Sequence, residues 1–192
     1  MVNMTLLLAS NSPRRRELLS GLDIPWRPVA LRAIAEDYPP DLKAGEIPLY
    51  IARGKMAAYD LELKAGEVLV TADTIVWCDQ RMLGKPEGEE EAAEMLRFLS
   101  GKIHQVYTGV CLKSVADEVS FVCRTDVTFA PLTEEQIRHY VKTYRPLDKA
   151  GAYGIQEWIG YVGVTSIEGS YFNVMGLPVQ RLYAALQKLK MQ

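Results

Sequence analysis

The stretch SNSPRRR (10–16) places three consecutive arginines just after a serine and a proline. Ser12 has the residue type of a helix N-cap and Pro13 that of a first helical residue, so a helix is predicted to begin here. Positive side chains are repelled by the partial positive charge at that end of a helix. The backbone N–H groups of a first helical turn bind anions, however, and arginine adds bidentate donors. The cluster therefore indicates a phosphate-binding turn, with hydroxyl donors from Ser10 and Ser12; a solvated helix end is the alternative.

A single acid, Asp73, interrupts the apolar run LVTADTIVW. Burying an unpaired carboxylate is costly, so this residue is a candidate general base or metal ligand. A structural role in accepting backbone hydrogen bonds is the alternative. Lys55, Lys85 and the acid pair Glu36 and Asp37 are weaker candidates, which gain weight only if a triphosphate binds nearby.

Composition and charge exclude several classes of protein. The chain has 192 residues, 48% of them hydrophobic and 24% charged, which is ordinary for a globular protein. A formal net charge of −2 argues against a general nucleic-acid binder. No apolar run approaches the length of a membrane span. The three cysteines show no metal or disulfide spacing, and no secretory signal pattern is present, so we expect a cytoplasmic protein without a zinc site.

Residues 147–178 are rich in glycine, which is typical of tight turns and of close backbone approach. The chain lacks a glycine-rich loop ending in Gly-Lys-Ser/Thr, so it is not predicted to be a P-loop ATPase.

Strands and helices alternate along the chain. Apolar and β-branched runs predict strands at 4–9, 24–30, 67–78, 103–114 and 119–130. Helical spacing and capping signals predict helices at 13–20, 47–63, 88–101, 133–143 and 178–190. A turn at 79–80 and a hairpin between the last two strands predict some antiparallel pairing. We therefore expect an α/β fold with a mixed central β-sheet flanked by helices, with two lobes and a cleft.

Six short motifs in this order extend over almost the whole chain. They are SNSPRR (10–15), ARGK (52–55), ADTIV (72–76), GKP (84–86), DKAGAYGIQ (148–156) and GSYFNVMGLP (169–178). Together they resemble the Maf family, the nucleotide pyrophosphatases related to a septum-formation inhibitor. The resemblance implies a single Maf-like domain over residues 1–192, with a fold similar to that of the inosine-triphosphate pyrophosphatases.

The resemblance also implies an activity and a set of site residues. Maf proteins hydrolyse nucleoside triphosphates to the monophosphate and pyrophosphate with Mg²⁺ or Mn²⁺, in a house-cleaning role that is linked to arrest of cell division. By matching motifs, Ser10, Arg14 and Arg15 would hold phosphates. The residues that would line the reaction centre are Glu36, Lys55, Asp73, Lys85 and Gln156. Asp73 matches the proton acceptor. Asp73 and Glu36 are also the candidate metal ligands, so the role of Asp73 as base or as ligand stays open, and Asp37 could replace Glu36.

The motifs SPRR, ADT and AYGIQ resemble the dTTP/UTP branch of the family rather than the 7-methyl-GTP branch. Arg14, Thr74 and Gln156 occupy its matching specificity positions. The implied partner is a nucleoside triphosphate, with neither nucleic acid nor membrane, and a homodimer is allowed. The alternatives are a Maf enzyme with another base specificity and a non-catalytic, nucleotide-binding regulator of septum formation.

Overall fold

The computed structural model describes residues 4–30, 32, 34, 36–59 and 62–190. Its strands are β1 (Thr5–Leu8), β2 (Trp26–Pro28), β3 (Glu67–Cys78), β4 (Arg81–Leu83), β5 (Ile103–Lys113), β6 (Glu118–Phe129) and β7 (Val164–Glu168). Its helices are α1 (Pro13–Ser20), α2 (Glu46–Ala57), α3 (Glu89–Leu99), α4 (Glu134–Tyr144), α5 (Trp158–Gly163), α6 (Tyr171–Met175) and α7 (Val179–Leu186). A 3₁₀ turn covers Ala150–Ala152.

The strands form a seven-stranded sheet in the order β2-β1-β3-β5-β6-β7, with β4 paired to β3. Strand β1 pairs in parallel with β2 and β3, whereas the β3–β4 and β6–β7 pairs are antiparallel. The expected mixed sheet with flanking helices is therefore confirmed. The chain divides into two compact units, and β3, β5 and β6 each contribute residues to both.

The first unit consists of residues 1–73, 108–123 and 176–192. Its core contains Leu7 and Ala9 at the end of β1, Leu69 of β3, and Ala52 and Met56 of α2. Packing of α2 against β1 and β3 buries the helix face on which the sequence pattern places these apolar residues. The same pattern predicts a helix that continues to residue 63, but in the structure α2 ends at Ala57.

The second unit consists of residues 74–107 and 124–175. The turn between β3 and β4 has positive φ at Asp79 (48°) and Gln80 (62°), as a two-residue hairpin loop requires. Helix α4 begins at the predicted capping box of Thr133 and Gln136. The glycine-rich region contains α5, β7 and α6, which the sequence pattern did not predict because each has only five or six residues.

Within the described part of the chain, no helix has both the length and the apolar character needed to cross a membrane.

Candidate active site

The turn between β1 and α1 is organised by two serines and an arginine. Ser12 caps α1, with its Oγ accepting a hydrogen bond from the Arg15 N–H at 3.4 Å. The Ser12 N–H in turn donates to Ser10 Oγ at 3.2 Å. The guanidinium of Arg15 folds back and donates from Nη1 to the same Ser10 oxygen at 3.3 Å. Local sequence therefore accounts for the turn, because proline follows the capping residue and the serine hydroxyls accept hydrogen bonds from the backbone N–H groups of the turn.

Arg15 is held by a distant part of the first unit as well. Its Nε donates to the carbonyl oxygen of Gly176 at 2.8 Å. Removal from water lowers the pKa of its guanidinium, and neighbouring Arg14 lowers it further, while the carboxylates of Asp73 and Glu36 act in the opposite direction. The structure thus places one arginine of the triplet beside both candidate acids.

Helix α2 carries Lys55 and lies in close contact with the strands beneath it. A Cβ atom on Gly109 of β5 would lie 2.5 Å from backbone atoms of Pro48 and Leu49, so only glycine allows the helix to approach this closely. Thr71 of β3 donates its hydroxyl hydrogen to the Ala52 carbonyl at 2.8 Å. Since Thr71 is two residues from Asp73 in the strand and Ala52 is one turn before Lys55 in the helix, these contacts set the distance between the two charged groups.

Lys55 joins the two candidate acids. Its Nζ lies 2.7 Å from Asp73 Oδ1 and 2.7 Å from Glu36 Oε1. The side chains of Lys55 and Asp73 are 18% and 13% exposed, whereas that of Glu36 is 54% exposed. Of the two acids that the sequence left open, Glu36 forms this ion pair, and Asp37 is exposed.

The carboxyl group of Asp73 has an unusually high affinity for a proton. Burial raises its pKa above the ordinary value, and nearby Glu36 raises it further. Lys55 and Arg15 oppose this rise but do not cancel it. A carboxylate with a raised proton affinity is better matched to accepting a proton near neutral pH.

The remaining predicted site residues belong to the second unit. Thr74 follows Asp73 in β3 and is half-buried. Lys85 is exposed in the turn after β4, next to Gly84, whose carbonyl accepts from the Gly151 N–H at 3.0 Å. Gln156 precedes α5, and its Oε1 is buried without a hydrogen-bond partner in the described part of the structure. Such an atom costs about 1–3 kcal/mol unless water or a ligand satisfies it.

One residue of the first unit was missed as a functional candidate by sequence reasoning. The hydroxyl of Tyr59, just after α2, donates to the Ala30 carbonyl at 3.0 Å and accepts from the Arg32 N–H at 3.3 Å. It thereby holds the backbone of Ala30 and Arg32, which precede Glu36 in the chain. The sequence shows only a tyrosine on the buried face of a helix, which gives no sign of this contact.

The donor set fits a divalent cation that is shared with a substrate. No group of three or more His, Cys, Asp or Glu side chains that could hold a metal occurs among the residues the structure describes. The carboxylates of Asp73 and Glu36 nevertheless both contact the Lys55 ammonium. Mg²⁺ prefers carboxylate oxygens and completes its ligands with waters and phosphate oxygens, so two acids are sufficient on the protein side.

Comparisons with known proteins identify a family and several relatives of this chain. Residues 5–189 match the family described as Maf-like protein. A relative from Bacteroides thetaiotaomicron, named dTTP/UTP pyrophosphatase, is 58% identical over 96% of this chain and 95% of its own. One from Phocaeicola vulgatus with the same name is 59% identical over the same shares. The structure of a HAM1 protein from Coxiella burnetii is similar in fold, with a TM-score of 0.51 at 17% identity over 96% of this chain and 99% of that one.

Proposed function

Since this chain belongs to the Maf-like protein family, we propose that it hydrolyses dTTP and UTP to the nucleoside monophosphate and pyrophosphate. The observation that carries the proposal is the contact of Lys55 with both Asp73 and Glu36, beside the Arg15 guanidinium. These four residues combine a proton acceptor with the positive charge that a triphosphate needs. The names of the relatives support dTTP and UTP as the substrates.

The first unit has the charge and the donors to bind a triphosphate. A nucleoside triphosphate brings several negative charges, which the side chains of Arg14, Arg15 and Lys55 offset. The N-terminus of α1 adds backbone donors in the same turn. Attraction between the bound phosphates and these cations then outweighs the repulsion among the cations, which explains why three arginines begin a helix. Fixed positive groups also stabilise the negative charge that develops on the departing pyrophosphate.

Asp73 is proposed as the general base. Its raised pKa lets it take a proton from a water molecule as that water attacks the α-phosphorus. The bond between the α-phosphorus and the bridging oxygen to the β-phosphorus then breaks, and pyrophosphate leaves. Before metal and substrate bind, Lys55 holds the Asp73 carboxylate in place through its 2.7 Å contact. General base catalysis of this kind contributes about 10²–10⁴-fold in rate.

A divalent cation, Mg²⁺ or Mn²⁺, is proposed as the cofactor. When bound, the cation would neutralise phosphate charge and polarise the reacting phosphate. Asp73 and Glu36 would be its protein ligands, and Lys55, which contacts both in the structure, would then be available to the phosphates. In the second unit, Lys85 is proposed as a further phosphate contact, and Thr74 and Gln156 as contacts to the nucleotide.

The proposal is tested by a screen of nucleoside triphosphates with pyrophosphate detection, followed by chromatography of the nucleotide products. We expect dTTP and UTP to give the monophosphate and pyrophosphate faster than the other triphosphates do. Release of orthophosphate and a diphosphate would contradict the proposal, because it means attack at the γ-phosphorus. Binding of nucleotide without turnover would favour the non-catalytic regulator instead.

A further inference from the structure

In the second unit, Lys149, Glu157 and Tyr140 form a hydrogen-bonded network beside Gln156, the residue that precedes Glu157. Lys149 is only 9% exposed in its side chain, and its Nζ lies 2.8 Å from Asp148 Oδ1 and 3.1 Å from Glu157 Oε1. The other carboxylate oxygen of Glu157 accepts a hydrogen bond from the Tyr140 hydroxyl of α4. Both oxygens of Glu157 are therefore engaged, one by a cation and one by a buried phenol.

The same Tyr140 hydroxyl also reaches the backbone of the glycine-rich region. It accepts a hydrogen bond from the Gly154 N–H at 3.0 Å. Gly154 and Glu157 are themselves joined, since the Glu157 N–H donates to the Gly154 carbonyl at 3.0 Å. Residues 154–157 thus form a turn whose first and last residues are both held by one oxygen atom, with Ile155 and Gln156 between them.

The absence of a side chain at Gly154 lets Glu157 and Lys149 pack closely against the turn. A Cβ atom on Gly154 would lie 2.9 Å from Glu157 Cδ and 2.9 Å from Lys149 Cε. Tyr140 is fully buried, and burial raises the pKa of its hydroxyl, so it remains a protonated donor at neutral pH. The contacts of Tyr140 in α4 and of Lys149 with the flanking residues Gly154 and Glu157 therefore hold the backbone at Gln156 in place.

We propose that Tyr140 and Glu157 are positioning residues that hold Gln156 for recognition of the pyrimidine base, an inference that rests on the proposed function. The buried Gln156 Oε1 has no protein partner in the described structure, as expected of an acceptor that is reserved for a ligand. The N3–H of uracil and thymine is a donor, whereas N3 of cytosine is an acceptor. A small displacement of Gln156 therefore weakens discrimination against CTP more than it weakens the phosphate chemistry.

The burial of the Lys149–Glu157 ion pair favours a positioning role over simple stabilisation. Removing two charges from water is costly, and buried ion pairs are often no better for stability than apolar side chains of similar volume. Lys149 and Glu157 are nevertheless kept as a charged pair beneath the turn. Their contact and the hydrogen bonds of Tyr140 constrain the turn at particular atoms, a directional restraint that an apolar contact does not supply.

The test compares Tyr140→Phe with Tyr144→Phe by kcat and KM for UTP, dTTP and CTP. Tyr144 stacks on Tyr140 at 5.1 Å in the same helix and is exposed, so its variant is a matched control. In Tyr140→Phe we expect the ratio of kcat/KM for UTP over CTP to fall about tenfold or more, mainly through KM for UTP. The control is expected to keep the wild-type ratio.

A second variant, Glu157→Gln, keeps the size and an acceptor for Tyr140 but removes the charge that faces Lys149. It is expected to give a ratio between those of the wild type and Tyr140→Phe, and it carries the test if Tyr140→Phe does not fold. An unchanged ratio, or an equal loss for all three substrates, would overturn the inference. These failures are distinct from failure of the proposed function, in which the wild-type protein itself would not convert UTP or dTTP.

Discussion

The Lys55 ammonium of α2 lies 2.7 Å from the carboxylate of Asp73 in β3, although the two residues are 18 positions apart in the chain. Neither group can shift freely, because the Thr71–Ala52 hydrogen bond and the close packing of Pro48 and Leu49 on Gly109 fix α2 on the sheet. The contact therefore holds the proposed base and a phosphate-binding cation together before substrate arrives. Such preorganisation is the usual source of electrostatic catalysis.

Asp73→Asn should abolish turnover and leave the fold intact. The amide has nearly the same volume, but it cannot accept a proton and is a poor metal ligand, so we expect a loss of about 10²–10⁴-fold in kcat. Because burial raises the Asp73 pKa, the folded state disfavours its ionised form, and the amide should not lower Tm at neutral pH. The control is Asp79→Asn at the exposed Lys102 ion pair. Activity of Asp73→Asn within about threefold of wild type would remove this residue from the mechanism.

Activity should disappear in excess chelator and return with Mg²⁺ or Mn²⁺. The candidate ligands, Asp73 and Glu36, are carboxylates, which suit these hard cations rather than zinc. The measurement is pyrophosphate release from UTP as each metal is added back, and zinc is expected not to restore it. Glu36→Gln should raise the Mg²⁺ concentration that gives half-maximal activity. Full activity without a divalent cation would contradict the cofactor assignment.

Gln156→Glu should lower kcat/KM for UTP and dTTP far more than for CTP. A carboxylate lacks the amide donor and repels the O4 and O2 acceptors of uracil, while the amino group of cytosine tolerates it. We expect the UTP/CTP ratio to fall by about 10²-fold or more. The exposed Gln180→Glu in α7 adds the same charge as a control. Were all three substrates to lose activity by one factor, Gln156 would be catalytic or structural and not a reader of the base.

Stability should decrease on acidification because of His104. This residue is fully buried, its Nε2 lies 2.7 Å from the Tyr153 hydroxyl, and burial lowers its pKa to about 4. The unfolded chain, with a pKa near 6.5, binds a proton between those values that the folded chain does not. Unfolding is therefore favoured as pH falls through this interval, by about 3 kcal/mol in total.

This prediction is measured by denaturant unfolding from pH 7 to pH 4. His104→Gln keeps a partner for the Tyr153 hydroxyl and should flatten the pH dependence, whereas His139→Gln on the exposed face of α4 should not. Equal slopes in all three proteins would show that His104 is not the group responsible.

Features set by neighbouring residues could be predicted from the sequence. The β1–turn–α1 unit follows from an apolar run, the Ser12 cap and Pro13. The β3–β4 turn and the capping box of α4 follow in the same way from short-range turn and cap chemistry. The family resemblance also pointed to Lys55, Asp73 and Glu36, and in the structure Lys55 contacts both acids.

Features set by distant residues could not be predicted. The bond between Tyr59 and the segment before Glu36 depends on where α2 ends, which is six residues earlier than its apolar pattern suggests. The link from Tyr140 to Gly154 and Glu157 joins a helix to a turn that has no periodicity of its own. In both cases a tyrosine on a buried helix face resembles ordinary core, and only tertiary packing shows where its hydroxyl points.

The most direct test of the central claim is hydrolysis of UTP in ¹⁸O-labelled water, with mass spectrometry of both products. Attack by water that Asp73 has deprotonated, at the α-phosphorus, places the labelled oxygen in UMP and leaves pyrophosphate unlabelled. We expect one labelled oxygen in each UMP formed, and about 10²–10⁴-fold slower formation of labelled UMP by Asp73→Asn under the same conditions. Label in pyrophosphate would place the attack at the β-phosphorus, and label in orthophosphate at the γ-phosphorus; either result would rule out attack at the α-phosphorus.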